Sequence, residues 1–416
     1  MQNITYKSIL AALTVSAVVS CKPSLDTPSP SKGSINVSKY VSIGNSITSG
    51  FADAALYYDG QMVSYPNLLA EQFKTIGGGD FVQPLMPVGS VGVGSTLNSR
   101  LVLKDNVVDC QGVAGLSPVP LATLGDLNGL ITSVAAKGPF NNMGVPGAKA
   151  ITVVYPGYGN TQNPGGNYNP FFTRMLSTSE YSTASMLSKA AEQYPTFFSL
   201  FIGNNDVLGY ALAGGAKDAI SPSAGPPGVG FDASIDLIIS TMMSPTLVAG
   251  APKGIIGSIP DVTNIPHFTT IPYNGLTLDA TQAAQLNAAY APLGISFSAG
   301  SNAFIIADPA APGGMRKIKS TELILLSTPQ DSLKCKGLGS SIPLGNLHVL
   351  TETEISSIQN AVIAYNAKLK SVADANGLAY VDVNAFMAQC KKGIAYNGIT
   401  VNATFVSGGA FSLDGI

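Results

Sequence analysis

Apolar and polar positions alternate from residue 35 to 43, where "INVSKYVSI" sets Ile35, Val37, Val41 and Ile43 on one side of a two-residue period, the pattern of a strand. The strand runs directly into "GNSITSG". Next, "SYPNLLAEQFKTIGGG" supplies Ser64 as a helix N-cap, Pro66 in the first turn and a glycine run as the stop. This is a β-loop-α unit. The same grammar returns in "TASMLSKAAEQYPTFFSLFIGNND", where a helical run ends near Pro195 and a strand from Phe197 to Ile202 opens onto Gly203-Asn204-Asn205-Asp206. A third pass predicts a helix near Ser234 to Met243 and a strand at "GIIGSI". In the fourth, Thr351 and Glu354 form a capping box, the helix runs to Gly377, and the strand "LAYVDVN" follows.

Strands alternating with helices predict an α/β fold whose mostly parallel sheet is covered on both faces. Right-handed crossovers then bring the carboxyl ends of the strands to one edge. Four Gly/Pro/Asn-rich segments, roughly 82–137, 155–182, 209–232 and 296–347, are too long for simple connections and are read as insertions that roof that edge. No repeat of fixed period is present.

Composition narrows the partners. Apolar residues make up 45% of the 416 residues and charged ones 11%, the balance of a folded, loop-rich protein. The 22 basic residues against 24 acidic ones are spread without a Lys/Arg cluster, so nucleic acid is excluded as a partner. The first residues differ from the rest: Lys7 precedes an apolar run from Ile9 to Val19, about eleven residues and short of the roughly 20 that span a bilayer. Residues 1–20 are therefore read as an export signal. The ending Val18-Val19-Ser20-Cys21 resembles a bacterial lipobox, which implies cleavage before Cys21 and lipidation of that residue; an ordinary secretory signal is the alternative. Residues 21–34, rich in Pro and Ser, read as a tether, and 35–416 as one domain. Cys110, Cys335 and Cys390 remain, and export permits one disulfide without selecting the pair. With only His267 and His348 in the chain, HExxH is absent, and no spacing suggests a zinc site.

Four short blocks carry candidate chemistry: "GNSITSGF" after the first strand, "NMGVPGAK", "GNND" after a central strand, and "FSLDGI". Together they resemble the blocks of the SGNH (GDSL-type) hydrolases, serine esterases and lipases on a flavodoxin-like three-layer α/β/α fold. The resemblance implies that Ser46 is the nucleophile, that Gly147 gives a backbone N–H and Asn205 a side-chain amide to the oxyanion, and that Asp414 orients a histidine base. The first block departs from the pattern, with Asn45 where the family has an aspartate. A serine hydroxyl needs a nearby imidazole held by a carboxylate, and the tetrahedral oxyanion needs donors already aimed at it, which is why these residue types belong together. In the family's Asp-x-x-His frame the histidine would directly follow Ile416, so the sequence reads as a fragment cut within its last block. Its C-terminal covering helix would be absent with it.

The resemblance implies an exported, lipid-anchored carboxylic ester hydrolase of the bacterial cell envelope, working through a serine acyl-enzyme on an acylated sugar or a lipid. It implies no cofactor and no metal. The absence of a Gly-x-Ser-x-Gly elbow argues against an α/β-hydrolase. The rival expectation is a surface lipoprotein that binds glycans or lipids without turnover, with which the Tyr- and Asn-rich "YPGYGNTQNPGGNYNP" is compatible. Neither His267 nor His348 stands in an Asp-x-x-His frame, and neither is the expected base.

Overall fold

The five strands that pair side by side begin with β1 (Tyr40–Gly44), whose neighbours are β2 (Asn142–Gly144) and β3 (Phe197–Phe201); β4 (Lys253–Gly257) and β5 (Ala379–Val381) complete the sheet. Their order is β2-β1-β3-β4-β5 and every pairing is parallel. The sheet is thus doubly wound in the flavodoxin-like order, with its switch point between β1 and β3. The computed structural model describes residues 29–163, 168–244 and 252–416, and contacts separate 1–33 from the unit Ser34–Ile416 treated below. The predicted export signal and Cys21 lie outside the described residues.

Seven helices serve the sheet and its edge: α1 (Ser46–Ser49), α2 (Tyr65–Lys74), α3 (Ala150–Val153), α4 (Met186–Ala191), α5 (Asn205–Leu212), α6 (Phe231–Met242) and α7 (Glu352–Asn376). Alternation along the strands sorts side chains between two faces. Val41, Ile43, Phe198, Leu200 and Ile256 share one core with residues of α4, α6 and α7, including Met186, Ile235, Ile238, Val362 and Leu369. Tyr40 and Phe197 face the other way, where α2 packs Ala70 and Phe73 against them; the Phe73 ring meets Tyr40 at 5.2 Å and Phe197 at 5.1 Å, both edge to face. Helices therefore cover both faces, giving three layers.

Local signals explain most element ends. The Thr351–Glu354 capping box forms as expected, with the Thr351 N–H donated to Glu354 Oε2 at 2.9 Å, and α7 stops at Gly377 in the left-handed region (φ 61°). Two expectations shift. The first strand starts at Tyr40 rather than Ile35, because Asn36 Oδ1 takes the Ser38 N–H at 3.1 Å and turns the chain, leaving Ile35 and Val37 to pack beside Phe73 from the loop. Ser64 holds the N-cap position of α2, yet its hydroxyl donates to Gln83 Oε1 at 3.3 Å instead of capping.

The insertions carry structure of their own. Within 82–137, Leu101–Val108 and Ala114–Pro120 form an antiparallel ribbon whose tip is joined to the helix Gln330–Cys335 by the disulfide Cys110–Cys335 and by Lys334 on Asp109 at 2.8 Å. That settles the cysteine pairing, and Cys390 is free and buried. The last insertion, with residues from Ile271 onward, builds a second small core around Tyr290, Phe304, Ile305, Ile306, Ile324 and Leu344. Among the described residues no helix is long and apolar enough to cross a membrane.

Candidate active site

Gly44 pairs in register with Gly144 on one side and Phe201 on the other, so the chain leaves three adjacent strands at one level. Ser46 lies two residues beyond Gly44, Gly147 three beyond Gly144, and Asn205 four beyond Phe201. With strands about 4.8 Å apart, these segments sit side by side at the switch point, Ser46 in the middle.

Ser46 is the first residue of α1 and is partly exposed. The turn that delivers it is fixed from below. Asn45 Oδ1 accepts the Ile47 N–H at 3.2 Å, and buried Asn142 on β2 donates to the Thr48 carbonyl at 2.9 Å. Gly144 touches α1 so closely that a Cβ there would lie 2.4 Å from the Ser49 nitrogen. The amide of Asn45 gives its oxygen to the cap, while its Nδ2 is buried with no partner among the described residues. Among the described residues the Ser46 hydroxyl, the Ser46 N–H and the Gly147 N–H make no hydrogen bond.

The Gly147 turn is held at three points. Asn169, from the 155–182 insertion, donates its Nδ2 to the Pro146 carbonyl at 2.7 Å. Asn205 donates its Nδ2 to the Ala148 carbonyl at 2.9 Å, and Asp206 Oδ2 accepts the Ala150 N–H at 2.7 Å. Gly147 itself has φ 81°, a left-handed conformation that favours glycine, and an added Cβ would meet Asn169 Nδ2 at 3.7 Å, an ordinary contact. Asp206 is fully buried, and burial pushes its carboxyl up to about 6 against the opposing effects of the Ala150 N–H, the Ser221 hydroxyl and Lys149.

Asp414 arrives from the far end of the chain. Its Oδ2 accepts the Ala54 N–H at 2.8 Å, and its Oδ1 accepts the Ser412 hydroxyl at 2.5 Å and the Ile416 N–H at 3.2 Å. Leu413 donates its N–H to Asp53 Oδ1 at 2.9 Å. Residues 411–416 are thereby tied to the loop that follows α1, in which the Phe51 N–H returns to the Ser46 carbonyl at 3.0 Å. His267 flanks the same run: its N–H donates to the Gly415 carbonyl at 3.0 Å and its imidazole lies against the Asp414 backbone. Burial drives that imidazole down to about 4, and its Nε2 is enclosed without a partner among the described residues.

The structure thus brings Ser46, Gly147 and Asn205 to one edge and fastens the Asp414 run to the loop beyond Ser46. Asn142, Asn169 and Asp206 were not singled out from sequence. Asp206 stood within the quoted "GNND", but its partner is an amide 56 residues away, which only the β2–β1–β3 register reveals. Comparison with known proteins gives no relative: no family model, no curated protein and no solved structure matches the chain. What is shown is the α/β fold with its five-stranded parallel sheet. No group of three or more His, Cys, Asp or Glu that would hold a metal occurs among the described residues. A cavity of about 310 Å³ among Asp308, Arg316, Glu322 and Glu352 and one of about 610 Å³ along Phe140, Met143, Phe172 and Met175 do not include Ser46.

Proposed function

We propose that this chain is a carboxylic ester hydrolase of the SGNH type, exported and anchored to the cell envelope through a lipidated Cys21, acting on an acylated sugar or a lipid. One observation carries the reading: a partly exposed serine stands at the switch point, and among the described residues its hydroxyl, its own N–H and the Gly147 N–H make no hydrogen bond. In this reading Ser46 Oγ attacks the ester carbonyl carbon while a histidine base takes its proton. The tetrahedral oxyanion accepts from the Ser46 N–H, the Gly147 N–H and Asn205 Nδ2. The carbon–oxygen bond to the alcohol breaks as that proton passes to the leaving oxygen, and water then releases the acid by the same route. Asp414 orients the base. Loss of one such donor typically costs about 2.7–4 kcal/mol of barrier.

The base, in this reading, is a histidine oriented by Asp414. His267 is unsuited to it, because its Nε2 is enclosed and its basicity is depressed to about 4. The same facts favour the rival reading, a glycan- or lipid-binding lipoprotein, if no imidazole reaches Ser46. A fluorophosphonate probe applied to the natural gene product separates the two. Covalent labelling that disappears in Ser46→Ala supports the hydrolase, and the absence of labelling together with saturable glycan or lipid binding supports the rival. An ester panel of graded acyl length then distinguishes a sugar-ester substrate, with short chains only, from a lipid.

A further inference from the structure

Asp206 is a fully buried ionisable group at this edge that the proposed chemistry does not use. Its side chain has no solvent exposure, its Oδ2 holds the Ala150 N–H at 2.7 Å, and its Oδ1 has no hydrogen bond of ordinary geometry among the described residues. Ala150 opens α3, three residues beyond Gly147. From other elements, Asn169 grips the intervening turn at Pro146 and Asn205 at Ala148, while within α3 the Thr152 hydroxyl accepts the Lys149 N–H at 2.9 Å. Lys149, between the last two anchors, is drawn outward to Asp218 at 3.0 Å. Asn205 and Asp206 are consecutive, so the first turn of α5 supplies two of the three anchors that reach the turn from other elements. Gly203 makes that possible, since its φ of 112° bends the chain into α5 and a Cβ there would meet Ile259 Cδ1 at 2.4 Å.

We propose that Asp206 is a positioning residue that fixes the direction of the Gly147 N–H by locking the start of α3, so that the oxyanion donors are in place before substrate arrives. The assignment of that N–H to an oxyanion rests on the hydrolase reading; the lock itself does not. A charged acceptor for a backbone N–H is the stronger kind of hydrogen bond, and donors held in advance need no reorganisation during reaction. A carboxylate buried against its preference is costly, and this one is retained where it grips the turn. The groups facing it are the Ser221 hydroxyl, Lys149 and the phenols of Tyr158 and Tyr365, both of which sense its charge, while Asp218 neutralises Lys149 from outside. With its carboxyl raised to about 6, Asp206 loses its charge on mild acidification, and the lock weakens with it.

Amide hydrogen exchange of the natural gene product, corrected for intrinsic pH dependence, tests the lock without a variant. The expected result is strong protection of the Ala150 amide at pH 7.5 that falls several-fold by pH 5, with β3 unchanged. An Ala150 amide that exchanges freely at pH 7.5 overturns the proposal. In Asp206→Ala, kcat for ester hydrolysis is expected to fall about 10- to 100-fold with KM within about two-fold, and Asp206→Asn, which keeps an acceptor of the same shape, is expected to restore most of it. A folded Asp206→Ala with unchanged kcat, or an Asn variant no better than Ala, overturns the positioning role. If the wild type hydrolyses no ester, the hydrolase reading fails alone, and the exchange measurement still decides the lock. Should Asp206→Ala not fold, the Asn variant and the wild-type exchange decide it.

Discussion

At the scale of single residues, the site divides into groups that face outward and groups that hold them. The four residues that the proposed chemistry uses, Ser46, Gly147, Asn205 and Asp414, were read from the sequence because each stands in a short block of recognisable composition; Asn205 and Asp414 also hold neighbouring backbone. Asn142, Asn169 and Asp206 were not, because each pairs with a backbone group that is remote in sequence, and such pairs follow from register rather than local pattern. Gly147 tests the distinction. Its left-handed φ of 81° makes any side chain unfavourable, but the nearest atom to an added Cβ is Asn169 Nδ2 at 3.7 Å, so no clash adds to the strain. Gly147→Ala should therefore cost only about 1–2 kcal/mol of stability in urea unfolding. Its effect on ester hydrolysis should be disproportionate, a fall in kcat of about ten-fold or more, because relief of the strain rotates the N–H that the oxyanion needs. Equal loss in stability and none in kcat would remove Gly147 from the proposed chemistry.

At the scale of elements, the sequence revealed those whose ends carry chemical punctuation. The capping box at Thr351 and the glycine stop at Gly377 bracketed α7, and the apolar run in β3 needed no partner to be recognised. It missed β2, whose three residues give no period to read, and the helix Ala280–Tyr290, although Asp279 and Gln282 form a capping box there that a search for it would have found. The ribbon Leu101–Val108 with Ala114–Pro120 was hidden for another reason: most of both strands is exposed, so burial imposes no alternation. Short β2 nonetheless controls the site, because α1 rests on Gly144. A methyl group there would lie 2.4 Å from the Ser49 nitrogen and 2.6 Å from the Thr48 carbonyl carbon, both backbone atoms, so α1 must move. Gly144→Ala is expected to destabilise the fold by about 1–3 kcal/mol and to reduce fluorophosphonate labelling of Ser46 in the protein that remains folded. Full labelling at unchanged stability would mean that α1 is not held where Ser46 requires it.

At the scale of the whole molecule, two kinds of coupling tie distant parts together, and each has a measurable signature. The disulfide joins residues 225 apart and secures an exposed ribbon to the second small core. Its reduction should cost about 2–5 kcal/mol and open the ribbon to trypsin at the exposed Lys104, while the sheet stays resistant. The second coupling is through protons. His267, lowered to about 4 by burial, binds fewer protons when folded than its ordinary value of 6.5 allows when unfolded, so its contribution is present above 6.5 and is lost as pH falls toward 4. Asp206 has the opposite sign: raised from 3.8 to about 6, it binds more protons when folded, so stability is lost as pH rises through 6 and recovered on acidification. Each shift corresponds to about 3 kcal/mol, so between pH 7 and about 4.5 the two nearly cancel. Below that, carboxyls held low by ion pairs, such as Glu180 beside Lys189, are protonated and their support is lost. The wild type is therefore expected to hold a nearly constant urea midpoint from pH 7 to 4.5. Asp206→Asn should lose stability over that interval, because the His267 penalty is no longer offset, and His267→Gln should gain it. Parallel pH profiles for all three proteins would show that neither buried group titrates with folding, and the electrostatic account of this edge would fail.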